Sequence, residues 1–465
     1  MSQPDLTLLP VHELSRRIMA RQLSPIDLTE AYLERIQARE PKLQAFVEVY
    51  ASEARLAAHG ADAAIRAGHA IGPLHGIPIA LKDLIEIEGR IVTGGCEAWR
   101  DRKAQRTATL ARRLIGHGMI VLGKTHTVEF AMGGWGTNSR RGTPWNPWDP
   151  ERKRSPGGSS SGSGVAVAAG LAPWAVGTDT GGSVRLPAAW CGITGLKTTI
   201  GRVSTYGILP LSPTLDTPGP MTRSVEDAAL LYQAMQGPDP LDPRTERLPA
   251  GGDPMAQMRR GVRGLRLARM PQREREYASA EVLAAYDRSL EELERLGAEI
   301  VAVELPFAFA DVAAFNLRIM AAESYALLHN LIDDENAPLD QHVRPRIAAG
   351  RDLSARSYLE ALEVREEMKR KFTIAIQGID ALLTPTTMTT AVPLDEIDQT
   401  TAPAHYTRFG NFLDLCALSL PNGLAGDGLP TSLQIACRAY DEATALRIGW
   451  AFQDASDWHL QRPPE

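Results

Sequence analysis

The sequence predicts an α/β fold in one large domain, and three observations carry that prediction. Short apolar runs bounded by glycine, "HGIPIALKD" (75–83) and "GMIVLGKT" (118–125), read as strands buried on both faces. Between them "TLARRLIGHG" (109–118) reads as a helix, giving a strand–helix–strand unit. No internal repeat and no long linker divides the 465 residues, and buried-looking segments recur to the C-terminus.

The elements follow in order. Residues up to about 70 read as helical, and "LSPIDLTEAYLERIQ" carries a start signal of Ser24 as N-cap and Pro25 at the first helical position. Asp27 stands three residues after the cap. Leu28, Tyr32, Leu33 and Ile36 then recur at helical spacing. "SGVAVAAG" suits a helix lying close against a sheet, and "PWAVGTD" a buried strand. "VRGLRLARM" and "AEIVAVELP" read as strands flanking a helix at about 279–297. Amphipathic helices fill 308–378, after which "IDALLTPT" and "PTSLQIACR" return to strand. The stretch 236–254 is the best loop candidate.

Composition narrows the function classes. A hydrophobic share of 44% with 23% charged residues suits a globular protein with a large core. A net charge of −6 offers no general attraction to nucleic acid or anionic lipid. No signal peptide and no membrane span is read, so a cytoplasmic protein is the default. The four cysteines, Cys96, Cys191, Cys416 and Cys437, match no zinc spacing, and the ten histidines form no HExxH or HxH pattern. No metal site is expected.

The stretch "SPGGSSSGSG" (155–164) needs an explanation. Such runs are usually flexible linkers, but this one leads directly into a helix of small residues and reads as an ordered strand-to-helix turn. It lacks the Gly-Lys-Ser/Thr of a phosphate loop and the GxGxxG of a dinucleotide site. "GSSSG" (158–162) formally fits a nucleophile elbow around Ser160, yet nothing nominates its histidine and acid. Two further oddities are Lys82, set in an apolar strand, and "GTDTGGSVRLP" (177–187), where two glycines precede Ser183. Lysine is almost never buried without a partner, and snorkelling to solvent is its ordinary alternative.

Together these features resemble the amidase signature family of serine hydrolases. "GIPIALKD", the "GGSS" loop and "GTDTGGSVRLPAA" carry the resemblance, with Ser183 lying 183 − 159 = 24 residues after Ser159. "EFAMGGWGTNSRRGTPWNPWD", "GLKTTIGRVS", "LDTPGPMTRSVEDAALL" and "GLPTSLQIACRAYDE" extend it over nearly the whole chain. One departure is Thr198, where proline is commoner. The resemblance implies a single domain, 1–465, with a mixed central sheet covered by helices on both faces. Its parts are N-terminal helices (about 1–70), the signature core (about 70–235), a helix-rich pocket region (about 255–380) and a C-terminal return (about 380–465).

It also implies a Ser-cisSer-Lys site without metal or cofactor. Ser183 is then the nucleophile, Lys82 a base lowered from its reference pKa of about 10.4 by enclosure, and Ser159 the relay between them. The cis peptide is expected at Gly158–Ser159. The N–H groups of Thr180, Gly181, Gly182 and Ser183 are expected to form the oxyanion hole. Asp179 and Arg185 are expected to brace the nucleophile turn, with a surface ion pair as the alternative. Ser160 and Ser161 are expected to be structural hydrogen-bonders.

Met132, Gly133, Trp135 and Trp190 are expected to line a pocket, with core packing the alternative for the large ones. Arg202 is expected at the base of a capping loop, 203–215. Nothing in the sequence announces a carboxylate-bearing substrate. The expected substrate is a small molecule with a linear C–N bond: an aryl or alkyl amide first, then a carbamate (urethane), then a urea such as a biuret derivative. The A subunit of a glutamyl-tRNA amidotransferase shares "EFAMG" and the "RPRIAAG" segment (344–350). Its glutamine-binding aspartate has no clear counterpart near Asp414. A non-catalytic scaffold is opposed by intact Lys82, Ser159 and Ser183. A homodimer is common in the family, and no residue here speaks to it.

Overall fold

Ser24 starts the long N-terminal helix Pro25–Leu43 as its sequence predicts, its side chain accepting from the Ile26 N–H. In the computed structural model, which describes residues 5–246, 248–249 and 253–464, that helix packs on the helix Ala51–Arg66, and the strands form a mixed sheet. Its strands are β1 (Phe46–Val49), β2 (Pro78–Lys82), β3 (Ile120–Thr125), β4 (Ala175–Asp179), β5 (Thr194–Lys197) and β6 (Thr217–Thr222). They continue as β7 (Arg266–Arg269), β8 (Glu299–Val301), β9 (Ala381–Pro385), β10 (Cys416–Leu424) and β11 (Pro430–Cys437). The spatial order is β1-β3-β2-β4-β6-β5-β10-β11-β9-β7-β8.

Two parallel blocks flank an antiparallel middle, and β1 adds an antiparallel edge. β3, β2 and β4 run parallel, as do β9, β7 and β8. The helix Thr109–Gly116 connects β2 to β3, which is the strand–helix–strand unit that the apolar runs predict. β2 and β4 are fully buried along their lengths, consistent with their unbroken apolar character.

Three segments depart from the sequence reading. β1 interrupts the helical N-terminal region and pairs antiparallel at the sheet edge with β3. β6, "TPGPMT", is a buried strand despite Pro218 and Pro220. Proline cannot donate to a ladder. Here the two prolines, two apart, share one side of the strand, and β5 pairs with β6 only at Met221 and Thr222 beyond them. Thr198, the departure from the family wording, donates from Oγ1 to the Pro218 carbonyl at 2.9 Å and occupies that gap. Finally, "CALSLPNGL" forms β10, the hairpin partner of β11, and docks that hairpin against β5. The loop candidate 236–254 contains one short helical turn, Pro243–Thr245, and ends where the helix Pro254–Met258 begins, while 247 and 250–252 lie outside the described residues, as do 1–4 of the N-terminal helical region.

This topology positions a site. Because β2 and β4 are parallel neighbours, their C-terminal ends, Lys82 and Asp179, fall on the same edge. The helix Ser161–Ala168, which the Gly/Ser run enters, packs across β2, β3, β4 and β6. Small residues permit the approach: a Cβ on Gly162 would lie 2.2 Å from the Ala45 carbonyl oxygen and 2.4 Å from the His126 nitrogen.

Candidate active site

Three lysines on the strands are fully buried, and their surroundings differ. Lys124 on β3 faces Asp83 at 3.4 Å, and Lys197 donates to the carbonyls of Thr198 and Leu415 at 2.7 and 2.6 Å. Among the described residues Lys82 meets only hydroxyls: its Nζ donates to Ser159 Oγ at 2.8 Å and to Thr178 Oγ1 at 2.7 Å. Burial drives the Lys82 ammonium down to about 7, while Asp179 and Asp216 pull more weakly the other way. At neutral pH about half of such a group is uncharged. A buried amine next to a serine hydroxyl is chemically a base with a proton donor in reach.

Ser159 is delivered by the Gly/Ser turn, whose Gly158–Ser159 peptide is cis. The turn is ordered by its neighbours. Val128 N–H donates to the Ser159 carbonyl at 3.1 Å, and Ser160 N–H to the Ser183 carbonyl at 3.2 Å, which ties the two serine loops together. Ser160 Oγ exchanges hydrogen bonds with the Thr178 backbone, donating to its carbonyl and accepting from its N–H at 3.2 Å each. Ser160 is therefore a structural residue. Ser161 Oγ, expected to act likewise, is buried without a partner among the described residues.

Ser183 follows β4 on a turn built around Asp179. The Asp179 carboxylate takes the Gly182 N–H at 2.7 Å, the Val184 N–H at 3.1 Å and a two-pronged contact from Arg185 at 2.9 and 3.0 Å. Burial alone would raise Asp179, but Arg185 outweighs it and brings the carboxyl down to about 2. Arg185 is saturated by the Thr407 carbonyl, Gln434 and Asn411. The pair is fully buried, so it is not the surface ion pair of the alternative reading. Removing one partner of such a pair leaves a buried charge uncompensated. Arg185→Met is expected to cost about 3–5 kcal/mol of stability. A chemical denaturation midpoint equal to wild type would contradict this.

The same turn corrects one expectation. The Gly181–Gly182 peptide is pinned at both ends, its carbonyl by Thr407 Oγ1 and its N–H by Asp179, each at 2.7 Å. Gly182 is thus not a free oxyanion donor. Its role is steric: φ is +131°, and a Cβ there would sit 2.3 Å from Thr407 Oγ1. Among the described residues, the N–H groups of Thr180, Gly181 and Ser183 meet no protein acceptor.

Ser183 opens into a cavity of about 300 Å³, which Met132 and Gly133 also line. A second cavity of about 490 Å³ adjoins it, sharing Ala131 and Thr180 as walls. Residues 205–211 and Pro213 of the expected capping loop line this second space, beside Thr178 and Asp216. That loop is tied down, with Leu211 and Ser212 N–H on Asp216 at 2.9 and 3.0 Å and Thr214 N–H on Glu323 at 3.1 Å.

A family profile described as Amidase matches residues 27–446. This chain belongs to the amidase signature family. Over 474 residues it is 39% identical to a protein named Amidase from Pseudomonas putida, covering 99% of this chain and 98% of that one. It is 36% identical over 483 residues to the A subunit of Glutamyl-tRNA(Gln) amidotransferase from Geobacter metallireducens, covering 98% of each. It matches the structure of native peptide amidase from Stenotrophomonas maltophilia with a TM-score of 0.86 and 32% identity over 98% of each chain.

Within this amidase signature chain, three expected pocket residues lie elsewhere. Trp135 and Trp190 stack on each other at 5.6 Å in a separate apolar cluster with Trp148, and their indoles donate to the carbonyls of Thr401 and Thr389. Packing, the alternative, prevails for both. Arg202 is buried at 3% exposure against Glu442, the Tyr440 ring and the Pro249 carbonyl, and lines neither cavity. Asp414 is held by Arg365 and Lys369 and faces neither cavity. Sequence reasoning missed Thr178, although it sits inside "GTDTGGS", and also Thr407, Asn411, Arg346 and Arg408. Arg346 lies within the quoted "RPRIAAG" segment, but no spacing signal marks Thr407, Asn411 or Arg408; only the fold brings them to the serine turn and its cavity.

Proposed function

We propose that the chain is a free-standing amidase that hydrolyses a linear amide through an acyl-enzyme on Ser183. The observation that carries this is Lys82, fully buried and bonded, among the described residues, only to two hydroxyls, one of them Ser159 Oγ. Neutral Lys82 draws the proton of Ser159, which draws that of Ser183, and Ser183 Oγ attacks the amide carbonyl. The oxyanion is met by the N–H groups of Thr180, Gly181 and Ser183. Collapse expels the amine, to which Ser159 returns the proton held at Lys82. Water then repeats the sequence on the acyl-enzyme.

Free-standing activity is supported by the cavity chemistry. No carboxylate lines the Ser183 cavity among the described residues to meet the ammonium of glutamine. The test is a panel of alkyl amide, anilide, carbamate and urea on the purified chain alone. Turnover of an amide by the chain by itself is expected. Glutaminase activity appearing only with added partner proteins and tRNA would favour the amidotransferase reading.

The pH profile has a defined sign. Lys82 works uncharged and titrates near 7, so kcat/KM should be low in acid, rise through about pH 7 and level off above it. At pH 5 it should stand about 100-fold below the plateau. A flat profile from pH 5 to 9 would remove Lys82 as the base.

A further inference from the structure

The wall of the Ser183 cavity carries two arginines and no acid among the described residues. Arg346 is aimed by two backbone carbonyls, those of Met132 and Gln399. Arg408 has no such anchor: its guanidinium makes no hydrogen bond or ion pair with protein among the described residues. A partly enclosed arginine usually finds a carboxylate or a set of carbonyls. Burial and then Arg346 draw Arg408 down to about 10, which still leaves it cationic at neutral pH. Asn316 lies beside it, fully buried, with both amide atoms unpartnered. A Cβ on Gly181 would lie 3.6 Å from Arg408 Cγ and 3.8 Å from Asn316 Oδ1.

Resting on the amidase reading above, we propose that the substrate bears a carboxylate close to its scissile amide, received by Arg408 with Arg346 behind it. Two like charges on one wall repel, and an anion at Arg408 relieves that repulsion while giving Arg408 the acceptor it lacks. The distance is short. Gly181, against which the Arg408 stem lies, is two residues from Ser183, a reach of at most about 7 Å. The carboxylate therefore stands a few bonds from the carbonyl that Ser183 attacks. The monoamide of a short dicarboxylic acid has this shape. Glutamine adds an ammonium that the cavity leaves unmatched. The guanidinium fork suits a planar carboxylate in two-pronged contact, which a lysine there would not reproduce.

The test compares three amides on the purified chain: the monoamide of glutaric acid, its uncharged diamide, and glutamine. The monoamide is expected to exceed the other two by roughly 10- to 100-fold in kcat/KM. Arg408→Gln should collapse the monoamide-to-diamide ratio toward one, and Arg408→Lys should restore it in part, with thermal melts confirming that both variants fold. Equal or better turnover of the diamide by wild type overturns the charge inference and leaves the amidase reading intact. Turnover of none of the three overturns the inference as well. In that case labelling of Ser183 by a fluorophosphonate shows that the amidase reading survives, and absence of labelling shows that it has failed too.

Discussion

Ser183→Ala is expected to lower kcat by roughly 10⁴- to 10⁶-fold, because it removes the hydroxyl proposed to form the acyl-enzyme. The substitution removes one oxygen atom and leaves the turn intact. The Gly182 and Val184 N–H groups stay on Asp179, and Arg185 stays locked by Gln434, Asn411 and the Thr407 carbonyl. The variant should therefore melt with the wild type, and substrate should still bind. Its backbone N–H also remains in place beside those of Thr180 and Gly181, so residual activity above background is expected. Steady-state kinetics with a thermal melt checks both halves. Turnover within ten-fold of wild type would mean that the nucleophile lies elsewhere.

Lys82→Met is the second large effect. Methionine is of similar length but carries no base, and kcat/KM should fall by roughly 10²- to 10⁴-fold, the usual worth of a positioned proton acceptor. Stability should move little. The hydroxyls of Ser159 and Thr178 lose a donor, at about 1–3 kcal/mol if left unsatisfied. Against that, the folded state no longer has to desolvate an amine. The informative feature is the pH profile, which in the variant should lose its rise through about 7. A variant that keeps that rise would assign it to another group. Asp216, raised by burial to about 6, is the neighbouring candidate.

How much of this was legible in the sequence follows from where the information lies along the chain. Lys82, Ser159 and Ser183 each sit in a contiguous motif whose flanking glycines and apolar residues describe their own local backbone. The parallel β2–β3 unit was legible for the same reason: two apolar runs with a helix between them leave few topologies. β6 was not, because two prolines contradict any central strand until its unpaired side is known. β10 was not, because "CALSLPNGL" has neither clean alternation nor a separate boundary until β11 folds back on it. The supports of the serine turn come from more than 200 residues downstream, Thr407, Asn411 and Gln434, brought in when the β10–β11 hairpin docks on β5. Trp135 and Trp190 show the converse error. Proximity to a motif in sequence says nothing of which side of the backbone an indole takes, and here both turn to each other. Gly182 belongs to the same class: its glycine identity was read as a donor, whereas its N–H is already spent on Asp179.

The rate at which a fluorophosphonate labels Ser183, followed against pH in wild type and Lys82→Met with the modified residue mapped by mass spectrometry, probes the proton path without involving any leaving group. The account predicts labelling of Ser183 alone, rising along a single titration near pH 7 in wild type, and slow and free of that titration in the variant. Labelling of another residue, or a wild-type rate that ignores pH between 5 and 9, would contradict a neutral Lys82 acting through Ser159.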